Sequence, residues 1–95
     1  MKQPAIYILA SRPNGTLYIG VTSNLSSRVE AHQNDSVPGF TRKYSVHRLV
    51  HFELCDDMVA AIVREKRLKK WNRAWKIRLI ERHNPQWRDL SGEIG

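Results

Sequence analysis

Residues 12–16, "RPNGT", lie between two short runs rich in β-branched and aromatic residues, "AIYILA" and "LYIG". Asn-Gly between apolar runs is a strong signal for a β-hairpin, because a two-residue loop needs positive φ at both central positions. The spacing predicts antiparallel strands over residues 5–11 and 16–21, with Asn14 and Gly15 at the turn. A two-residue loop places Tyr7 opposite Thr22 and Tyr18 opposite Ser11. Alternation then puts Tyr7, Tyr18 and Gly20 on one face, and Ile6, Ile8, Leu17, Ile19 and Val21 on the other. In this register the tyrosines stand several residues apart along the strands, so a bulge or a helix has to close the gap. The aliphatic face suffices as a core. The tyrosines read either as one wall of a site or as amphipathic side chains packed under a helix.

Beyond the hairpin, "TSN" offers N-caps for a short helix in "LSSRVEAHQN", with Leu25, Val29 and His32 on one side. Arg28 and His32 are one helical turn apart and can act on a common point. "SVPGFTRKYS" reads as a Pro/Gly loop and "VHRLVHFEL" as a third strand. Asp56 and Asp57 cap a helix that starts near Met58 and runs to about Trp71. Asn72 breaks it, and a last helix covers Arg73 to Arg82 before "HNP" stops it. The expected assembly is an α+β domain over residues 1–95, a three-stranded antiparallel sheet flanked by helices in the order ββαβαα.

A chain of 95 residues has room for one core. No apolar run approaches the roughly 18 to 20 residues needed to span a bilayer, and the N-terminus lacks a signal-peptide pattern, so the cytoplasm is the expected compartment. Cys55 has no second cysteine to pair with and reads as a core filler. The formal charge of +7 is informative once it is located. Residues 64–82 hold nine Lys/Arg against two Glu, which accounts for all of it. Trp71 and Trp75 are interleaved with these cations. Such a stripe suits a phosphate backbone, since basic side chains release condensed counterions and tryptophan stacks on bases. It equally fits a solvated helix face with its tryptophans in the core.

Glu65 is out of place in this pattern. At about 100° per residue it projects into the arc of Met58, Ala61, Ile62 and Leu68, the side that packs on the sheet. An inward carboxylate needs a partner. It can bridge to Lys69 at i,i+4, or it can hold a metal. A single carboxylate suits Mg²⁺, which keeps several waters and completes its shell with phosphate.

Taken together, these residues resemble the GIY-YIG nuclease superfamily, and the likeness is strongest to its compact stand-alone bacterial members. Ala5-Ile6-Tyr7 stands where the family has its first motif, and Tyr18-Ile19-Gly20 matches the second. Arg28, His32 and Glu65 follow in order, and the resemblance covers nearly the entire chain. It implies metal-dependent hydrolysis of a phosphodiester, with Mg²⁺ or Mn²⁺ held by Glu65 and Arg28 stabilising charge on the scissile phosphate. One tyrosine activates the attacking water. Tyr7 is the preferred base with Tyr18 as orienter or phosphate ligand, and the reverse assignment stays open. His32 matches a polar helper. The sequence departs from the family at Ala5, where the first motif has glycine. Asn84 is the candidate for a supporting asparagine and equally a helix stop.

The expected function is therefore a DNA endonuclease, with single-stranded or branched DNA as candidate substrates. Specificity would come from DNA structure, from the loop at residues 35–45, or from a protein partner. Arg42, Lys43, Lys66, Lys69, Lys70 and Arg73 are the expected nucleic-acid contacts. The alternatives are a nucleic-acid-binding module of the same fold without catalysis, and a small basic protein-interaction domain.

Overall fold

The computed structural model describes residues 3–34, 36 and 39–94. Its elements are β1 (Ala5–Ala10), β2 (Leu17–Thr22), α1 (Leu25–Gln33), α2 (Phe40–Lys43), β3 (Arg48–Leu54), α3 (Met58–Lys70) and α4 (Arg73–His83), followed by a 3-10 turn at Ser91–Glu93. The sheet is antiparallel with the order β2-β1-β3, so the expected α+β architecture is present. The addition is α2, inside the segment read as a loop; Val37 and Pro38 of that segment lie outside the described residues.

The hairpin differs from expectation in its turn. Ala10 pairs with Leu17, and Ser11 N donates to Thr16 O, leaving four residues in the loop. Gly15 N donates to Arg12 O at 2.9 Å, which makes Pro13 and Asn14 the central pair. Asn14 has φ 57°. Proline pre-sets the first central position, and a positive φ at the second is the type II pattern, so "PN" governs the turn and not "NG". Arg73 fastens it from α4, its Nη2 donating to Asn14 O at 2.7 Å and Gly15 O at 2.6 Å.

The longer loop shifts the register by two residues. Tyr7 now lies opposite Gly20, and Leu9 opposite Tyr18. A shift of two keeps every side chain on its predicted face. It also makes Tyr7 and Tyr18 diagonal neighbours with ring centroids 6.3 Å apart, so neither bulge nor helix is needed to join them.

All six residues of β1 are buried, because the central strand is covered on both faces. Ile6, Ile8 and Ala10 pack with Ile19, Val50, Ala61, Leu68, Leu79, Ile80 and Trp87 under α3 and α4. Ala5, Tyr7 and Leu9 pack with Leu25, Val29, Val46 and Leu49 under α1. β3 carries a bulge, with Leu9 opposite Leu49 but Ile8 opposite His51, leaving Val50 as the extra residue. The Val50 carbonyl is satisfied by Asn84 Nδ2 at 3.2 Å.

The helix boundaries follow the caps read in the sequence. Asn24 accepts from Ser27 N and Asp57 from Ala60 N, while Asn72, expected only to break the helix before it, also caps α4 by accepting from Trp75 N. Ala61, Glu65 and Leu68 form the buried stripe of α3. Ile62, expected in the same arc, sits at its rim and is exposed. Cys55 is half-buried against the α3/α4 core.

Gly20 has a specific reason to be glycine: a Cβ there would collide with Cζ and Oη of Tyr7. The Tyr7 ring is buried and hydrogen-bonded, so it cannot swing aside freely. Gly20→Ala should therefore cost about 1–3 kcal/mol in urea unfolding, as overpacking does. In a Tyr7→Leu background, where the ring tip is gone, most of that cost should vanish. Additive losses in the double-mutant cycle would show that the two side chains do not collide.

Candidate active site

β1 and β2 present Tyr7 and Tyr18 on the face covered by α1, and only Ser23 and Asn24 separate β2 from α1. That short connection fixes where Arg28 and His32 fall. His32 is buried on the inner side of α1 with Leu25 and Val29, as its spacing predicts. Its Nε2 lies 3.1 Å from Tyr7 Oη, and its Nδ1 lies 2.9 Å from Thr41 Oγ1. Its ring is 5.8 Å from that of Tyr7 and 5.4 Å from that of Tyr18. Arg28, exposed on α1, is near enough for its guanidinium to act on the Tyr7 phenol and on Tyr18.

Electrostatics distinguish these groups. Burial pushes the Tyr7 phenol above its ordinary value of 10.0, while the adjacent Arg28 guanidinium opposes that rise. The Arg28 cation is correspondingly stabilised by its hydrogen bond to Tyr7. His32 is held below its ordinary 6.5, first by burial and then by the positive field of Arg28 and His47. It is thus neutral at pH 7. Both partners of its ring are hydroxyls, so either tautomer satisfies them. The tautomer with its proton on Nδ1, donated to Thr41, leaves Nε2 free to accept from the Tyr7 O–H.

Glu65 starts from the opposite face of the sheet. It is 9% exposed on the buried stripe of α3, and its Oε2 pairs with Lys69 Nζ at 2.7 Å. It points inward, as its spacing predicts, and of the two partners expected for it the structure shows Lys69. Lys69 in turn lines a cavity of about 370 Å³ along the β2 edge with Leu17, Tyr18, Ile19, Phe40 and Lys76. The partner of Glu65 and the outer tyrosine thus share one depression. Among the described residues, no three His, Cys, Asp or Glu side chains gather as a metal-binding set.

Asn84 is placed elsewhere. It is the C-cap residue of α4, and its side chain binds Val50 O, Arg88 O and Arg88 N. Its amide closes the β3 bulge and the turn after α4. Of the expected nucleic-acid contacts, Arg42 and Lys43 are exposed on α2, and Lys66, Lys69 and Lys70 are exposed on α3. Arg73 is exposed too, but its guanidinium is tied to the hairpin turn. Trp71 is half-buried against the core with Arg64 over its ring, whereas Trp75, edge-on to it, is exposed. Sequence reasoning missed Thr41 and Phe40. Phe40 and Tyr44 at i,i+4 around "TRK" gave the available signal for a helical turn there.

The chain has counterparts among known proteins. A family model described as the GIY-YIG catalytic domain matches residues 3–78. The chain belongs to the GIY-YIG family, whose members are generally endonucleases. Among its relatives, the UPF0213 protein of Syntrophus aciditrophicus is 33% identical over 87 residues, covering 90% of this chain and 98% of the relative. A UPF0213 protein of Clostridium perfringens is 34% identical over 89 residues, covering 94% and 95%. The solution NMR structure of a UPF0213 protein from Bacillus halodurans matches with a TM-score of 0.57 at 23% identity over 92% of each chain, a likeness of fold.

Two titratable groups, buried His32 and half-buried Glu53, set the acid behaviour. The folded chain binds fewer protons than the unfolded chain just below pH 6.5, because His32 resists protonation. On the far face, Glu53 is held down from 4.5 to about 2 by its hydrogen bond with His51 and by the Arg64 fork. In both cases stability is complete above the unfolded-state value and is lost as pH falls. Urea titrations should show a first decline below pH 6.5 and a second between 4.5 and about 2. His32→Gln should remove the first and keep the second. A variant that retains the first decline would assign it to another group.

Proposed function

We propose that the protein is a metal-dependent endonuclease that hydrolyses phosphodiester bonds in DNA. One observation carries this reading: the Tyr7 hydroxyl lies 3.1 Å from His32 Nε2 of a neutral imidazole, with the Arg28 guanidinium near enough to favour its anion. A phenol in that position has an acceptor for its proton and a cation for the charge left behind. Membership of the GIY-YIG family supports the same chemistry.

In this mechanism Tyr7 is the base. As it takes a proton from the attacking water, its own proton moves along the hydrogen bond to His32 Nε2, which Thr41 holds in the required tautomer, so no free tyrosinate precedes attack. The new P–O bond displaces the oxygen of the leaving strand, which takes its proton from solvent. Without these neighbours a phenol whose pKa is raised by burial would be a poor base at pH 7. Arg28 is charged at every working pH and carries a planar fork of donors that matches two phosphate oxygens. Tyr18 lines the β2-edge cavity and orients the phosphate there.

The residues present fit a divalent ion. Glu65 offers hard oxygens from a nearly buried position, and its partner Lys69 is 54% exposed, so the carboxylate already holds a cation that can leave. A lone protein carboxylate suits Mg²⁺ or Mn²⁺ that retains waters. When bound, the ion would acidify water and neutralise charge on the phosphate.

Two substitutions test the assignment with labelled DNA and added Mg²⁺. Glu65→Gln should abolish cutting while leaving folding and DNA binding in place, since glutamine keeps the size of the side chain and an oxygen that can accept from Lys69. Normal cutting by this variant would overturn the metal role. Arg28→Lys keeps the charge but loses the fork, and the rate should fall about two orders of magnitude, or roughly 3 kcal/mol. Unchanged turnover would remove Arg28 from the mechanism.

A further inference from the structure

Helix α2 is four residues long and buries only Thr41. Phe40 and Tyr44 are 45% and 48% exposed, which core packing does not explain. Their rings continue an aromatic series that begins in the active site. Tyr18 stacks on Phe40 with centroids 6.1 Å apart, and Phe40 meets Tyr44 at 4.9 Å. Phe40 also walls the depression of about 370 Å³ along the open β2 edge. Apolar Leu17 and Ile19 line it too, together with Lys69 and Lys76. Lys76 is bonded to a backbone carbonyl, that of Lys69, and Arg42 and Lys43 flank the rings on α2 itself.

We propose that Phe40, backed by Tyr18 and extended by Tyr44, is a stacking platform for an unpaired base, and that the strand crossing the β2 edge is single-stranded DNA. In a duplex both faces of a base are covered by its neighbours. An exposed ring can take a base only when that base is unstacked, and stacking of this kind is tolerant of sequence. The lysines and the α2 cations provide the complementary charge for the flanking phosphates. Position follows from Thr41, which is adjacent to Phe40 and bonded to His32, itself bonded to Tyr7. The same short helix therefore sets the distance between the stacked base and the proposed base catalyst. The inference rests on the nuclease reading only for where the scissile phosphate lies.

The test is binding by fluorescence anisotropy in EDTA, where cutting cannot intervene, with labelled oligothymidylate, an abasic strand of equal length and a blunt duplex. Wild type should bind oligothymidylate most tightly. Phe40→Leu should weaken that complex about 5- to 150-fold, the effect of losing one stacked base, while duplex and abasic binding stay within about twofold. Phe40→Trp should restore the wild-type preference, which a folding defect would not allow. Unchanged oligothymidylate affinity in Phe40→Leu, or equal losses for all three ligands, would overturn the platform. Single-strand preference that depends on Phe40 in a protein that never cuts DNA with Mg²⁺ would uphold the platform and sink the nuclease reading instead.

Discussion

A phenol hydroxyl buried at the centre of the sheet is the constraint on which this structure depends. Tyr7 is 1% exposed on the middle strand, and an unpaired hydroxyl there would cost about 1–3 kcal/mol. Its ring fits because the facing position, Gly20, has no side chain. Its oxygen is satisfied because α1 delivers His32 and Arg28 to it. His32 in turn needs a partner for its second nitrogen, and α2 provides Thr41. Four elements are thereby ordered around one hydroxyl. The groups that satisfy it are also those that can take its proton and stabilise its anion, so fold and chemistry impose the same arrangement.

The two faces of the sheet divide the remaining work. The α3/α4 face holds the larger aliphatic core and the His51–Glu53–Arg64 network, which ties β3 to α3 through a two-pronged ion pair. The α1 face holds the tyrosines. Glu65 belongs to the first face by its helix, yet its partner Lys69 shares the β2-edge cavity with Tyr18 from the second. At the β2 edge, side chains of the α3 layer and of the tyrosine face thus line one open space. Arg73 holds the hairpin at the end of this edge.

The basic segment is less uniform than its composition suggests. Arg64 is committed to Glu53 and packs over Trp71, Arg73 to the hairpin turn, and Lys69 to Glu65. Its charge still favours an anionic partner, because net field depends on the sum of charges. The path of that partner depends on which cations border an opening, and here Lys69 and Lys76 do so next to exposed aromatic rings.

Local signals in the sequence were enough for the strands, the helix caps at Asn24 and Asp57, the break at Asn72 and the inward direction of Glu65, since capping and periodicity act over a few neighbouring residues. They also placed Tyr7 and Tyr18 on one face, because parity survives any register shift of two. Which tyrosine neighbours which residue was decided by the Pro13-Asn14 turn, and the β3 bulge by packing that required Asn84 to close it. Thr41 and Phe40 joined the site only through α2, a helix too short to show a period. The series from Tyr7 through His32 to Thr41 joins residues remote in sequence, and such contacts exist only once the chain has closed on itself: sequence periodicity records which way a side chain points, and tertiary packing alone records what it meets.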